Sequence, residues 1–322
     1  MSEFLFQLLL TFDATIRVAT PLILCAMAGM FSERSGVIDI SLEGKLLMGA
    51  FAAAAIAATT GSPWLGVLGA ILVSVVLALI HGFACITNRG NQVVSGLAIN
   101  ILASGLTITI GIALFRQGGQ TPLLGKDARF SPLEWPLVEF LDQVPVLGAI
   151  YRELISGHNA LTYVALLVVP LCAFVFYKSR FGLRLRAVGE VPRAVDSAGI
   201  SVTWLRYRAV IIAGILCGIA GAYLSTAQGA GFVREMSAGK GYIALAAVIF
   251  GKWRPYPAMF ACLMFGFLEA SSARLEGVTL PLIGEAPTQF MLALPYIMVV
   301  LLLAGFIGKA SPPAAIGEPY VK

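Results

Sequence analysis

Few side chains in this 322-residue chain can do chemistry, and most of them sit inside apolar stretches. Asn100 lies in VVSGLAINILASGLTITIG, with Ser95 before it and Ser104 and Thr107 after it. Ser104 and Thr107 follow Asn100 by four and seven positions, so one helical face carries all three. Such a face serves a polar solute in a central cavity, or it serves neighbouring helices as hydrogen-bonding glue. The string ERSGVIDISLEGKLLMGA places Asp39, Glu43 and Lys45 among apolar residues, with Gly36, Gly44 and Gly49 able to ease sharp turns. It reads as a helix broken beside a transport cavity, or as a polar connection between spans. Glu269 is expected to pair with Arg274 near a membrane interface, and His81 to be packed rather than to relay protons.

Other chemistry is missing. The nearest string to a G-x-x-x-x-G-K-[ST] phosphate loop is AGFIGKAS, whose glycine spacing is wrong, so the chain is expected to hold no ATP and no other cofactor. No Ser/His/Asp set or carboxylate pair stands out, which leaves an enzyme without its machinery. Two histidines assemble no metal cluster. Cys25, Cys85, Cys172, Cys217 and Cys262 are odd in number and dispersed in apolar segments, so they read as buried small residues.

The elements that must position these residues are membrane spans. The chain is 58% hydrophobic and 12% charged, with a mean hydropathy of +0.88; soluble domains carry about 25% charged residues. The expected fold is an all-α polytopic membrane protein of about nine helices, within a range of eight to ten, forming one transmembrane domain over 1–322. Spans are expected near 14–31, 45–60, 64–86, 93–115, 160–177, 209–227, 241–251, 256–272 and 289–308, the seventh being short. MSEFLFQLLLTFD starts acidic, lacks an A-x-A-like site and is expected to be a short interfacial helix.

A formal charge of +5 reflects cytoplasmic lysine and arginine rather than a nucleic-acid partner. The loop 178–208 holds Lys178, Arg180, Arg184, Arg186, Arg193, Arg206 and Arg208 against Glu190 and Asp196, and is expected inside. The long 116–159 loop is then extracytoplasmic, a lid or a structured cap. The N-terminus is outside, and 309–322 is a flexible cytoplasmic tail.

Three strings carry a resemblance to a known family. GVIDISLEGKLLMGA is similar to an early G-[IV]-[ND]-x-[GS]-x-E-G signature. AVGEVPRAVDSAGIS resembles a cytoplasmic coupling segment, with Glu190, Pro192, Ala194, Gly199 and Ile200 at matching places. SAGKGYIALAAVIFGKWRP (Ser237–Pro255) resembles a late signature of the nucleoside branch. Together they resemble the permease subunit of bacterial ATP-binding-cassette importers of the ribose, branched-chain amino acid and nucleoside group. Asp39 stands where Asn is more frequent, Lys45 where an apolar residue is common, and Val195 interrupts paired alanines.

The resemblance implies an importer permease fold in the bacterial inner membrane, translocating nucleosides or related ribose-bearing solutes. It implies a cytoplasmic ATPase that binds the ATP, a second permease chain, identical or homologous, and an extracytoplasmic solute-binding protein or lipoprotein. Glu190, Pro192, Arg193, Ala194 and Gly199 would couple to the ATPase. Asn100, Ser104, Thr107, Glu43 and Asp39 are the pathway candidates. A simple sugar or a branched-chain amino acid is the alternative solute. An ion-coupled secondary transporter would need carboxylates deep in the spans, where Glu269 is the one candidate. A non-transporting scaffold leaves the arginine-rich loop unexplained.

Overall fold

The computed structural model describes residues 3–136, 145–275 and 311–321, with short pieces between 279 and 300. The helices are α1 (Glu3–Arg34), α2 (Leu42–Thr60), α3 (Pro63–Gly82), α4 (Gln92–Phe115), α5 (Pro145–Ile150), α6 (Ala160–Lys178), α7 (Arg180–Glu190), α8 (Pro192–Ser197), α9 (Val202–Tyr223), α10 (Lys240–Phe250) and α11 (Pro255–Leu275). π-Turns at Phe83–Thr87 and Leu224–Gln228 prolong α3 and α9. The named strands among the described residues are a two-residue antiparallel pair, Thr279–Leu280 with Gly284–Glu285.

Helix starts follow their sequence signals. Asn91, Asn159, Ser179 and Ser201 each accept a backbone N–H in the first turn of α4, α6, α7 and α9. Six described helices are long and apolar enough to cross a bilayer: 7–34, 42–60, 63–87, 92–115, 160–178 and 202–228. They match the first six expected spans. The seventh, α10, has 11 residues, about 16 Å of helix and half a bilayer's hydrocarbon. The eighth is α11, which packs along α1. The span expected at 289–308 lies outside the described residues. The N-terminal stretch is not a separate interfacial helix, because from Glu3 it runs unbroken into α1.

Helices α2 and α9 form the centre, α9 against α1, α2 and α3. Glycine lets them close: a methyl on Gly218 would stand 2.6 Å from Ile71 Cα, and one on Gly221 2.5 Å from Ala50 N. All five cysteines are buried. Leu68, Leu72, Val76 and Ile80 of α3 and Leu167, Leu171 and Phe174 of α6 form exposed apolar faces suited to lipid. The 116–159 segment is tied by its backbone to the stretch after α9. Thr121, Leu124 and Phe130 donate backbone N–H groups to Phe232, Ala230 and Thr226.

Candidate functional site

Two stretches of unwound backbone meet at the middle of α4. The first, Val37–Ser41, separates α1 from α2, and Gly36 turns into it with φ +87. Gly44 and Gly49 turn nothing: both are helical residues of α2. Unwound backbone enclosed among apolar helices needs partners for its polar groups, and side chains supply them. Gln92 Oε1 accepts the Ile38 N–H at 2.6 Å, and Asn100 Nδ2 donates to Ile40 O at 3.0 Å. His81 Nε2 lies 2.9 Å from Ile38 O, and a carbonyl only accepts, so that nitrogen carries a proton. His81 is thus packed as a backbone donor, as expected.

Asp39 is fully buried here. Its Oδ2 lies 2.5 Å from Lys45 Nζ, with both side chains excluded from solvent, and its Oδ1 accepts the Ser41 hydroxyl at 2.6 Å. The two departures from the early signature are therefore one ion pair.

The second unwound stretch, Gly229–Gly239, leads from α9 past the middle of α4 to the start of α10. Its end is held by Glu43, whose carboxylate accepts the N–H groups of Gly239 at 2.8 Å and Gly241 at 2.6 Å. A helix start carries unpaired donors and a partial positive charge, so a carboxylate suits it. Asn100 ties both stretches to α4. Its Oδ1 accepts the Gly44 N–H at 2.8 Å, and its Nδ2 also donates to the Tyr242 hydroxyl at 2.8 Å. One helical turn on, the Ser104 hydroxyl donates to the Glu235 carboxylate. Thr107 does not join them, since it is buried and bonds Ser104 O on its own helix.

Two expectations need correction. Glu269 pairs with Lys240 Nζ at 2.6 Å and not with Arg274, which donates to Gln7 O. Glu269 is also not the one enclosed carboxylate, because Asp39 and Glu43 are buried whereas its own side chain is 38% exposed. Glu235 and Tyr242 were missed as site residues. They fall in or beside a stretch that reads as a connection and a short span, and only unspent glycines (Gly229, Gly231, Gly239) hint that the chain re-enters.

Beside the end of α1, α7 and α8 form an elbow between α6 and α9. Pro192 opens α8 and Gly199, at φ +76, ends it. Val195 is buried with Val188, Val202 and Leu205, which gives its departure from paired alanines a packing reason. Arg193, Ala194, Ser197, Ala198 and Gly199 are exposed, and nothing lies within 4 Å of where a Gly199 methyl would point. A cleft of about 450 Å³ beside them is lined by Thr87, Arg89, Asp196, Ser201 and Tyr320. Arg186 stacks on Tyr177 and Arg208 on Trp204.

The tail lies against the elbow where it is described. Residues 311–321 form a strap: Ala315 N donates to Gly189 O, Ala314 N to Glu190 Oε2 and Gly317 N to Gly36 O. Arg206 is not a surface arginine. It is 1% exposed and bonds Ser35 O at 3.1 Å and Glu318 O at 3.0 Å. Strap and arginine join the α7–α8 elbow to the turn that enters Val37–Ser41.

Comparison with known proteins accounts for this architecture. The chain is 40% identical over 318 residues to the guanosine ABC transporter permease protein NupQ of Bacillus subtilis, covering 96% of this chain and 95% of that one. It is 36% identical over 310 residues to the nucleoside ABC transporter permease protein NupC of Lactococcus lactis, covering 94% of each. A putative glucose ABC transporter permease protein of Haloferax volcanii, TsgC13, is 35% identical over 308 residues, 91% of this chain and 90% of that one. Residues 11–303 match the family described as branched-chain amino acid transport system / permease component. Polytopic, helical and interrupted by two unwound stretches, the chain belongs to that permease family.

Proposed function

We propose that the chain is the permease subunit of an ATP-driven importer of nucleosides. The observation that carries this reading is the open polar face at the middle of α4. Asn100, Ser104, Glu235 and Tyr242 stand there only partly covered by their own chain, at a depth where hydrocarbon cannot be the neighbour of a carboxylate. A second permease chain facing this side would enclose a water-accessible pathway. A neutral base and ribose need hydrogen bonds and stacking, and this face offers both. The likeness to guanosine and nucleoside permeases supports the same solute class. Asp39, Glu43 and Thr107 would hold the pathway's shape rather than touch solute, and Asn100 spends most of its amide on backbone.

Orientation follows the lysine and arginine bias, with the N-terminus outside and the α7–α8 elbow and the tail in the cytoplasm of a bacterial inner membrane. The exposed small residues of α8, with Glu190, Pro192, Arg193, Ala194 and Gly199 around them, would dock on an ATPase that binds all the ATP. Closure of two ATPases would push the elbow, and the strap and Arg206 would pass the displacement to Val37–Ser41. A solute-binding protein would deliver from outside onto the 116–136 cap.

Uptake of labelled guanosine and uridine with and without this chain tests the reading. Unlabelled ribose, glucose and leucine compete in parallel, and one arm is depleted of ATP but keeps its ion gradient. Chain-dependent, ATP-dependent uptake that only nucleosides inhibit is the expected result. Competition by glucose or leucine would move the solute, and uptake surviving ATP loss would overturn the importer class.

A further inference from the structure

Glu235 has no structural employment equal to its setting. Its carboxylate meets the Ser104 hydroxyl. Ser104 is the thirteenth of the 24 residues of α4, so that contact lies at the helix midpoint. The residue is exposed, whereas Asp39 and Glu43 are buried and fully engaged. Its backbone is also unusual: Glu235 has φ +54 and its near neighbour Ala238 φ +46, both left-handed without being glycine. Such conformations are strained and persist where the surroundings impose them, often at ligand sites. Tyr242 stands beside it on the same face, 44% exposed, its hydroxyl fixed by Asn100. Asn100 and Ser104 are four residues apart, so the two anchoring points lie about 6 Å apart along the axis. A cleft of about 610 Å³ lined by Gln117, Gln120, Val233 and Met236 adjoins the Glu235 turn, within the ~300–1,000 Å³ typical of small-molecule sites.

We propose that Glu235 reads the ribose hydroxyls of the passing solute. An ionised carboxylate has two acceptor oxygens and no donor, so it matches a vicinal diol, whose two O–H groups donate side by side. Ser104 holds the carboxylate in the absence of solute and yields its place to the diol. Tyr242, one turn away, presents its ring to the base, an aromatic platform tolerant of base identity. The proposal rests on the nucleoside reading above.

The test uses the complete transporter in cells, carrying this chain as wild type or as Glu235→Gln. Uptake of labelled guanosine competes with unlabelled guanosine, 2′-deoxyguanosine and 2′,3′-dideoxyguanosine. The wild type is expected to favour the ribonucleoside, and Glu235→Gln to shrink that preference by about tenfold, the loss of one charge-assisted hydrogen bond. A change in ratio separates solute reading from mere structural support, which would lower uptake of all three alike. If Glu235→Gln fails to accumulate, Glu235→Asp withdraws the carboxylate by one methylene and carries the same expectation. Nucleoside uptake with an unchanged ratio overturns the role of Glu235 alone. A wild type that imports no nucleoside overturns it together with the nucleoside reading.

Discussion

Replacing Lys45 with Met would leave Asp39 a carboxylate with no cation and no water. The pair is 2.5 Å apart, and both side chains are wholly excluded from solvent. An exposed pair is worth only about 0.2–1 kcal/mol, but removing one partner of a buried pair costs about 3–5 kcal/mol, because the other charge stays behind uncompensated. The Ser41 hydroxyl, 2.6 Å from Asp39 Oδ1, does not offset this, since that bond already exists in the wild type. Asp39→Asn strands the Lys45 ammonium for a similar loss. The double variant Asp39→Asn with Lys45→Met removes both charges while nearly keeping both volumes. Replacement of a buried pair by neutral groups is often neutral or even stabilising.

The assay is thermal unfolding of the purified chain in detergent, read as a double-mutant cycle with the amount of inserted protein measured alongside. Each single variant should melt well below the wild type, and the double variant should recover to within about 1 kcal/mol of it. Two results would refute the reasoning. Single variants that melt like the wild type would mean the charges are hydrated. A double variant that loses the sum of both singles would mean they do not interact.

Other perturbations probe the remaining connections. Glu43→Gln removes the charge from two bonds at the start of α10, each worth about 1.5–3 kcal/mol; nucleoside uptake should fall in chains that still insert and still co-purify with their ATPase, and normal uptake would remove Glu43 from the pathway's support. Gly189→Ala would place a methyl 2.3 Å from Arg34 O, so α7 must move off α1 at a cost of about 1–3 kcal/mol. Faster proteolysis of 311–321 would register it, and unchanged cleavage would count against the strap. Ala198→Trp loads an exposed site of ordinary backbone, φ −81, and should abolish ATPase association in a folded chain. Gly199→Asn, which tolerates the left-handed turn, should leave association intact. Equal effects from both would mean that the turn's shape, not the docking face, is what matters.

The spans were legible because an apolar helix announces itself locally, residue by residue, and six of them fell where hydropathy put them. The shape of the α7–α8 elbow was legible too, since Pro192 and Gly199 punctuate it and small residues crowd its open face. What local sequence does not carry is depth. Gly229–Gly239 has the composition of any surface turn, and nothing in it says that the chain folds back to Ser104 and Glu43 before α10. Arg206 looked like one more basic residue of a cytoplasmic loop. Only the fold reveals that its guanidinium is enclosed by Ser35 and the tail, a contact between residues 112 positions apart.

Asp39 and Lys45 make the same point at closer range. Six positions apart, one on unwound backbone and one inside α2, they share no helical face that spacing could predict. Taken singly, each is a charge in the wrong solvent. A polar group at membrane depth is tolerable only with its partner already in place, so neither departure from the early signature is stable by itself. Together they cancel, and they also fix the geometry of the break: the aspartate anchors the unwound strand to the first turn of the helix that follows. The break in the helix and the charges beside it are therefore one device. The charges hold in place the unwound connection between α1 and α2 whose backbone Asn100 and His81 then satisfy, and this is why so much polar backbone can be enclosed there at all.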